Sequence, residues 1–197
     1  MLRDIIIDYI EKYNCVVTSS PGNGTSSLIL FLTNLLTESE SNIIFYNPDR
    51  SIDRTFVKRF YPNVFNKVMI IESPVEIFIE FLSYIDYKVD RLIIDPADVL
   101  LGSSKILQGL MPILKANKIK VLCSSQIRTD VANGGKTYST LEKTGLFDYS
   151  IWIRNVSESN GIFIKKYVDV WKHKRNGNNF ASRYIAKFGK EGNVLNA

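Results

Sequence analysis

The chain has 197 residues, 25 Lys+Arg against 20 Asp+Glu (net charge +5), and 45% hydrophobic residues. That is the composition of a soluble globular protein, long enough for one domain with a sizeable core. It excludes a helical membrane protein, since no apolar run reaches the roughly 18 residues that span a bilayer. Met1 to Asn14 carries Asp4, Asp8 and Glu11 in an amphipathic pattern, which is not that of a signal peptide.

The charge is uneven. From Gly161 onward eight Lys/Arg face only Asp169 and Glu191, a surplus of +6, and the rest of the chain sums to about −1. A basic C-terminal section on a near-neutral body suggests contact with nucleic acid or phosphates, with a solvated lysine-rich face as the competing reading. The two cysteines, Cys15 and Cys123, fall in apolar strand-like runs. They read as reduced core residues of an intracellular, cytoplasmic protein.

In chain order, Ile5, Ile6, Tyr9 and Ile10 give Leu2 to Tyr13 a helical face. Cys15 to Thr18 is a first strand. It runs into the small-residue turn Ser19-Ser20-Pro21-Gly22-Asn23-Gly24-Thr25-Ser26-Ser27 and then into a strongly apolar helix to about Thr37. This is the layout of a phosphate-binding loop, in which turn amides and a helix N-terminus face the anion. Against the consensus G-x-x-x-x-G-K-[ST], Ser19 stands at the first glycine, Gly24 at the second, Ser26 at the hydroxyl position and Thr25 where the lysine belongs. An ordinary Gly/Ser turn before a buried helix is the alternative.

Further strands are predicted at Asn42–Tyr46, Val68–Ile71, Arg91–Ile94 and Lys118–Ser124, with helices at Ile52–Phe60, Ser73–Tyr84 and, despite Pro112, Lys105–Lys115. Short apolar strands alternating with helices predict a parallel sheet covered on both faces, with ligands at the carboxyl ends of the strands. The Gly/Ser turn, Asp49, Asp95 and Gln126 all fall at such ends. Ile127 to Thr144 is polar and lacks a clear period, and is expected to be a long mobile loop. Tyr149–Arg154, Ile162–Trp171 and Arg183–Phe188 then read as an antiparallel extension of the sheet.

Arg91-Leu92-Ile93-Ile94-Asp95 fits a strand that places one carboxylate at its tip, where it holds Mg²⁺ through water, unless it is a plain strand-to-turn exit before Pro96. Asp49 is a candidate for orienting an attacking water, or a solvated turn residue. Gln126 is positioned to report a γ-phosphate to the next loop. His173, the single histidine, has no His/Cys cluster around it and is not expected to bind metal.

In this order the segments resemble the ATPase core shared by RecA recombinases and DnaB-type hexameric replicative helicases, phage versions included, over about Cys15 to Asn193. The stretch Leu141–Ile153 and the basic motif Trp171-Lys172-His173-Lys174-Arg175-Asn176-Gly177 carry the more specific likeness. The resemblance implies one RecA-like α/β domain over 1–197: an N-terminal helix (1–14), a P-loop core (15–126), a mobile loop (127–144) and C-terminal strands (145–197). It implies ATP and Mg²⁺ as ligands, with Gly22, Asn23, Gly24, Thr25, Ser26 and Ser27 at the phosphates and Ser26 with Asp95 at the metal. It gives Asp49 and Gln126 catalytic roles, and makes Lys172, Lys174 and Arg175 a trans element reaching a neighbouring subunit's ATP. Arg128, Lys136, Tyr138 and Lys143 become contacts for single-stranded DNA. The expected protein is an oligomer of DNA replication or recombination. Its hydrolysis is weak or lost because Thr25 replaces the lysine, unless Arg50 or Arg128 compensates. A non-catalytic scaffold that binds an active helicase or recombinase is the alternative.

Overall fold

Runs such as Ile43-Ile44-Phe45-Tyr46 have no polar alternation, so both faces of the strand they form must be covered. The computed structural model satisfies this with one sheet between two apolar layers. It describes residues 2–40, 42–84, 88–98, 104–130, 136–138, 141, 146–159, 163–173 and 178–195. In chain order the first part comprises α1 (Leu2–Ile5, continued as a π-helix over Ile6–Ile10), β1 (Cys15–Ser19), α2 (Thr25–Leu36), β2 (Ile43–Tyr46), α3 (Arg54–Phe60), α4 (Pro62–Lys67), β3 (Met69–Ile71), α5 (Val75–Tyr84) and β4 (Arg91–Ile94). Then come α6 (Ser104–Ala116), β5 (Lys120–Gln126), β6 (Arg128–Asp130), β7 (Lys136–Tyr138), β8 (Tyr149–Ser159), β9 (Phe163–Lys172), β10 (Asn179–Gly189) and β11 (Val194–Leu195).

The main sheet has nine strands in the order β11-β10-β9-β8-β1-β5-β4-β2-β3. From β3 to β8 every described pairing is parallel, and β8 to β11 form an antiparallel ladder. The expected mainly parallel α/β sheet with an antiparallel C-terminal edge is therefore present. One apolar layer packs α2, the N-terminal helix, α3 and α4 against Val17, Phe45, Ile151, Val168 and Phe188. The other packs α5 and α6 against Val16, Ile44, Leu92 and Cys123. Tyr46 and Phe78 stack at 3.8 Å in that second layer. Cys15 and Cys123 are buried free thiols, and burial pushes the Cys15 thiol up to about 12. Among the described residues no helix is long and apolar enough to cross a membrane.

Three differences from the sequence expectation stand out. The first helix ends at Ile10, not Tyr13, and its last five residues wind as a π-helix. A short helix, α4, starts at Pro62 directly after α3, where Pro supplies no N–H and suits a first helical turn. In place of an open loop after Gln126, the described part is a two-stranded antiparallel ribbon, β6 with β7, in which Arg128 pairs with Tyr138 and Asp130 with Lys136.

Two side chains tie distant segments together. Arg91 opens β4 fully buried. Its Nη2 and Nε bond the two carboxylate oxygens of Glu40 at 2.6 and 3.1 Å, and its Nη1 donates to the Ile10 carbonyl at 2.5 Å. This fork joins the N-terminal helix, the loop after α2 and β4, which is the geometry an arginine provides and a lysine does not. The buried Tyr61 hydroxyl accepts the Val194 amide at 2.9 Å and donates to the Ser27 carbonyl at 3.4 Å. It clamps β11 to the first turn of α2. Truncating Arg91 would leave Glu40 and the Ile10 carbonyl without their donor. Arg91→Ala is expected to cost about 3 kcal/mol or more of unfolding free energy, measured by urea denaturation.

Candidate functional site

At the carboxyl end of β1 the chain must turn sharply to enter α2. Gly22 and Gly24 make the turn with φ of +77° and +85°, values that L side chains rarely adopt. Gly24 is required twice over, because a Cβ there would lie 2.7 Å from the Phe188 ring of β10. The Asn23 amide closes the turn on the Ser20 carbonyl at 3.2 Å, and Leu28 N–H bonds the Gly24 carbonyl at 2.9 Å as α2 begins. The first amides of α2 thus head a helix of 12 residues, with its positive dipole end toward the turn.

The two residues that depart from the phosphate-loop consensus bond each other: the Ser19 and Thr25 hydroxyls share a hydrogen bond. Thr25 is held back against the end of β1.

The turn walls one side of a cleft of about 540 Å³, a size that suits a nucleotide. Gly22, Gly24, Thr25, Ser26 and Ser27 line that side. Asp49, Asp95 and Gln126 line it from the ends of β2, β4 and β5, so four strand ends read from the sequence meet in one place. Asn23 is not part of the wall; its carbonyl points to the C-terminal ladder, as described below.

Asp95 is the most constrained of these groups. It is 1% exposed; one carboxylate oxygen accepts the Ser124 hydroxyl, and the other, Oδ2, is buried beside the Ser26 hydroxyl and has, among the described residues, no well-aligned hydrogen bond. Burial raises its pKa above the ordinary carboxylate range. The hydroxyls of Ser124 and Ser26 pull it back down, and the charges of Asp49 and Asp98 add to the rise. A buried, partly unsatisfied carboxylate beside a hydroxyl at the head of a helix is a costly arrangement without a cation. The oxygen donor set of Asp95 and Ser26 fits a hard divalent ion that keeps several waters, which does not need a cluster of protein carboxylates. Among the described residues no group of three or more His, Cys, Asp or Glu could hold a metal.

Asp49 caps its own turn by accepting the Ser51 amide at 3.0 Å. Gln126 ends β5 opposite Ser19 of β1, and its amide donates to Asp98 Oδ2 at 2.6 Å. Asp98 also accepts the Ser125 hydroxyl at 3.0 Å. This second carboxylate beside the site was not singled out in the sequence, although its spacing of three from Asp95 was visible. Arg50 is exposed in a turn with φ of +55° and does not line the cleft.

Of the remaining candidates, Lys172 alone has a described side chain. Lys172 pairs with Tyr149, itself opposite Cys15, so it sits at the amino end of β1, away from this chain's own cleft. Its Nζ lies 5.9 Å from the Tyr149 ring centre. Lys143, Lys174 and Arg175 fall outside the described residues, and Arg128, Lys136 and Tyr138 are described only as backbone of the β6–β7 ribbon.

Sequence reasoning missed the C-terminal wall. Lys166 of β9, Phe188 at the end of β10, and Gly189, Lys190 and Gly192 of the β10–β11 turn close the cleft over the loop. The turn is fixed by mutual bonds, Gly189 N–H to the Asn193 carbonyl at 2.8 Å and Gly192 N–H to the Gly189 carbonyl at 3.0 Å. The available signal was Lys166 itself, which interrupts the buried alternation continued by Val168 and Val170.

Sheet order, flanking helices and a glycine turn facing a strand-end aspartate together define a RecA-like P-loop fold. The solved structure of a KaiC-like protein from the hyperthermophilic archaeon Pyrococcus horikoshii OT3 has the same fold, with a TM-score of 0.62 at 17% sequence identity over 93% of this chain and 89% of that one. No protein-family profile matches the chain, and no curated protein sequence matches it.

Two outcomes are expected from the geometry of the turn and of Asp95. Gly24→Ala is expected to lower stability by about 1–3 kcal/mol, through positive-φ strain and the contact with Phe188. A raised folded-state pKa means that Asp95 favours the fold only when protonated, so its contribution is lost as pH rises through that value. In metal-free buffer Asp95→Asn is therefore expected to melt above the parent at about pH 8, with the gap closing toward about pH 4. Equal melting at the higher pH would contradict the burial cost assigned to this carboxylate.

Proposed function

We propose that the chain binds ATP with Mg²⁺ in the cleft between the glycine turn and Asp95, with slow hydrolysis, as a RecA/DnaB-like protein of DNA replication or recombination. The observation that carries this reading is the buried Asp95 carboxylate beside the Ser26 hydroxyl at the head of α2, with one oxygen lacking a well-aligned partner among the described residues. The turn amides and α2 take the phosphates, and Ser26 and Asp95 hold the metal. Mg²⁺, when bound, offsets charge on the phosphate oxygens. Asp49 lies in the same wall to orient a water, and Gln126 stands at the junction between the cleft and the β6–β7 ribbon. Weak turnover follows from Thr25, whose hydroxyl is committed to Ser19 and which brings no charge to the phosphates.

The nucleic-acid part of the reading draws on the basic C-terminal third and on the ribbon that begins at Arg128, one residue beyond Gln126. Single-stranded DNA, an oligomer and a trans role for Lys172, Lys174 and Arg175 belong to it. The position of Lys172, away from its own cleft, suits a group that serves another molecule.

The test is ATP hydrolysis by the purified chain, with and without single-stranded DNA, beside Asp95→Ala. Slow, DNA-stimulated turnover is expected, and the substitution is expected to lower it about a hundredfold or more. Binding without turnover would remove the motor reading and retain the nucleotide. Neither binding nor turnover would favour the scaffold that works through a helicase or recombinase partner.

A further inference from the structure

Position 25 lacks the lysine that a phosphate loop of this kind uses, yet the cleft does not lack a cation. β8 runs parallel to β1 with Trp152 opposite Thr18, and β9 returns antiparallel with Asp169 opposite Trp152. Three residues back along β9 from Asp169, Lys166 therefore lies past the carboxyl end of β1, beside the glycine turn. It occupies the buried face that Val168 and Val170 continue, and it is 7% exposed. Its Nζ donates to the Asn23 carbonyl at 2.8 Å and lies 4.9 Å from the Phe188 ring centre, the ring against which Gly24 packs.

An ammonium carries three donors. Among the described residues only the Asn23 carbonyl takes one of them, and no carboxylate pairs with Lys166. Burying a lysine without a counter-charge is costly, and desolvation lowers its pKa from the ordinary value. Such a cost is offset where an anion completes the site.

We infer that Lys166 is the phosphate-contacting cation of this cleft, supplied from β9 of the same chain in place of the lysine absent at position 25. This rests on the nucleotide-binding reading and adds to it the group that recognises polyphosphate. The loop is then a divided one: its amides come from the β1–α2 turn, and its charge comes from the C-terminal ladder.

The experiment measures ATP and AMP affinities by calorimetry in Mg²⁺ buffer for the parent, for Lys166→Gln, and for Lys166→Gln carrying Ser19→Gly and Thr25→Lys. Glutamine keeps a donor for the Asn23 carbonyl and removes the charge. Lys166→Met, which suits the apolar face beside Phe188, serves if the glutamine variant does not fold. Loss of the charge is expected to weaken ATP about ten- to hundredfold and to leave AMP nearly unchanged. Restoring the consensus residues is expected to recover most of the ATP preference. A folded neutral variant that keeps the parent's ratio of ATP to AMP affinity would overturn the assignment while leaving the nucleotide reading standing. A parent chain that binds no ATP at all would overturn both.

Discussion

The position of β1 between two parallel partners governs this molecule. β5 ends level with β1, Gln126 opposite Ser19, while β8 runs parallel on the other side and continues past the end of β1, so the turn after Ser19 emerges beside Gln126 and the projecting part of the β8–β9 ladder. Parallel neighbours direct their strand ends to one edge, and polar groups gathered there can face a ligand without entering the core. The apolar layers on both faces hold this register. A one-residue slip of β1 would move Val16 and Val17 to the wrong layers and carry the glycine turn out of reach of Asp95 and Phe188.

Within that frame the cleft is a balance of costs. Among the described residues, a buried carboxylate with an unsatisfied oxygen and a buried lysine with one hydrogen-bond partner both line this cleft. Each alone is a liability. Side by side with helix-end amides they form a surface of mixed sign, suited to a ligand that carries both an anion and a bound cation. Paired charges stand outside it, in the Arg91–Glu40 fork and in the Asp169 carboxylate held by Arg183 at 2.6 and 2.9 Å.

Much of this was legible in the sequence, for a physical reason. A turn between a strand and a buried helix, and a carboxylate at the tip of an apolar strand, are contiguous features, so residues 15–36 and 91–95 declare their chemistry locally. That most strands run parallel followed from the alternation of helix and strand. What escaped depended on register or on very short elements. Lys166 enters the site only because β9 lies two strands from β1 at one particular offset, and no local pattern encodes that offset. The three-residue strands of the β6–β7 ribbon and the six residues of α4 are too short to show a period. Thr25 read as a loss, because its bond to Ser19 and the approach of Lys166 to the turn both require tertiary structure to be seen.

The Tyr61 clamp and the Lys166–Asn23 bond join residues 133 and 143 positions apart in the chain. A ribosome delivers the glycine turn and the apolar flank of α2 long before Phe188, Lys166 and Val194 exist to cover them. Until β9 and β10 emerge, the nascent chain carries the glycine turn without Lys166 and Phe188 beside it. The walled cleft is thus assembled late, from segments far apart in the chain.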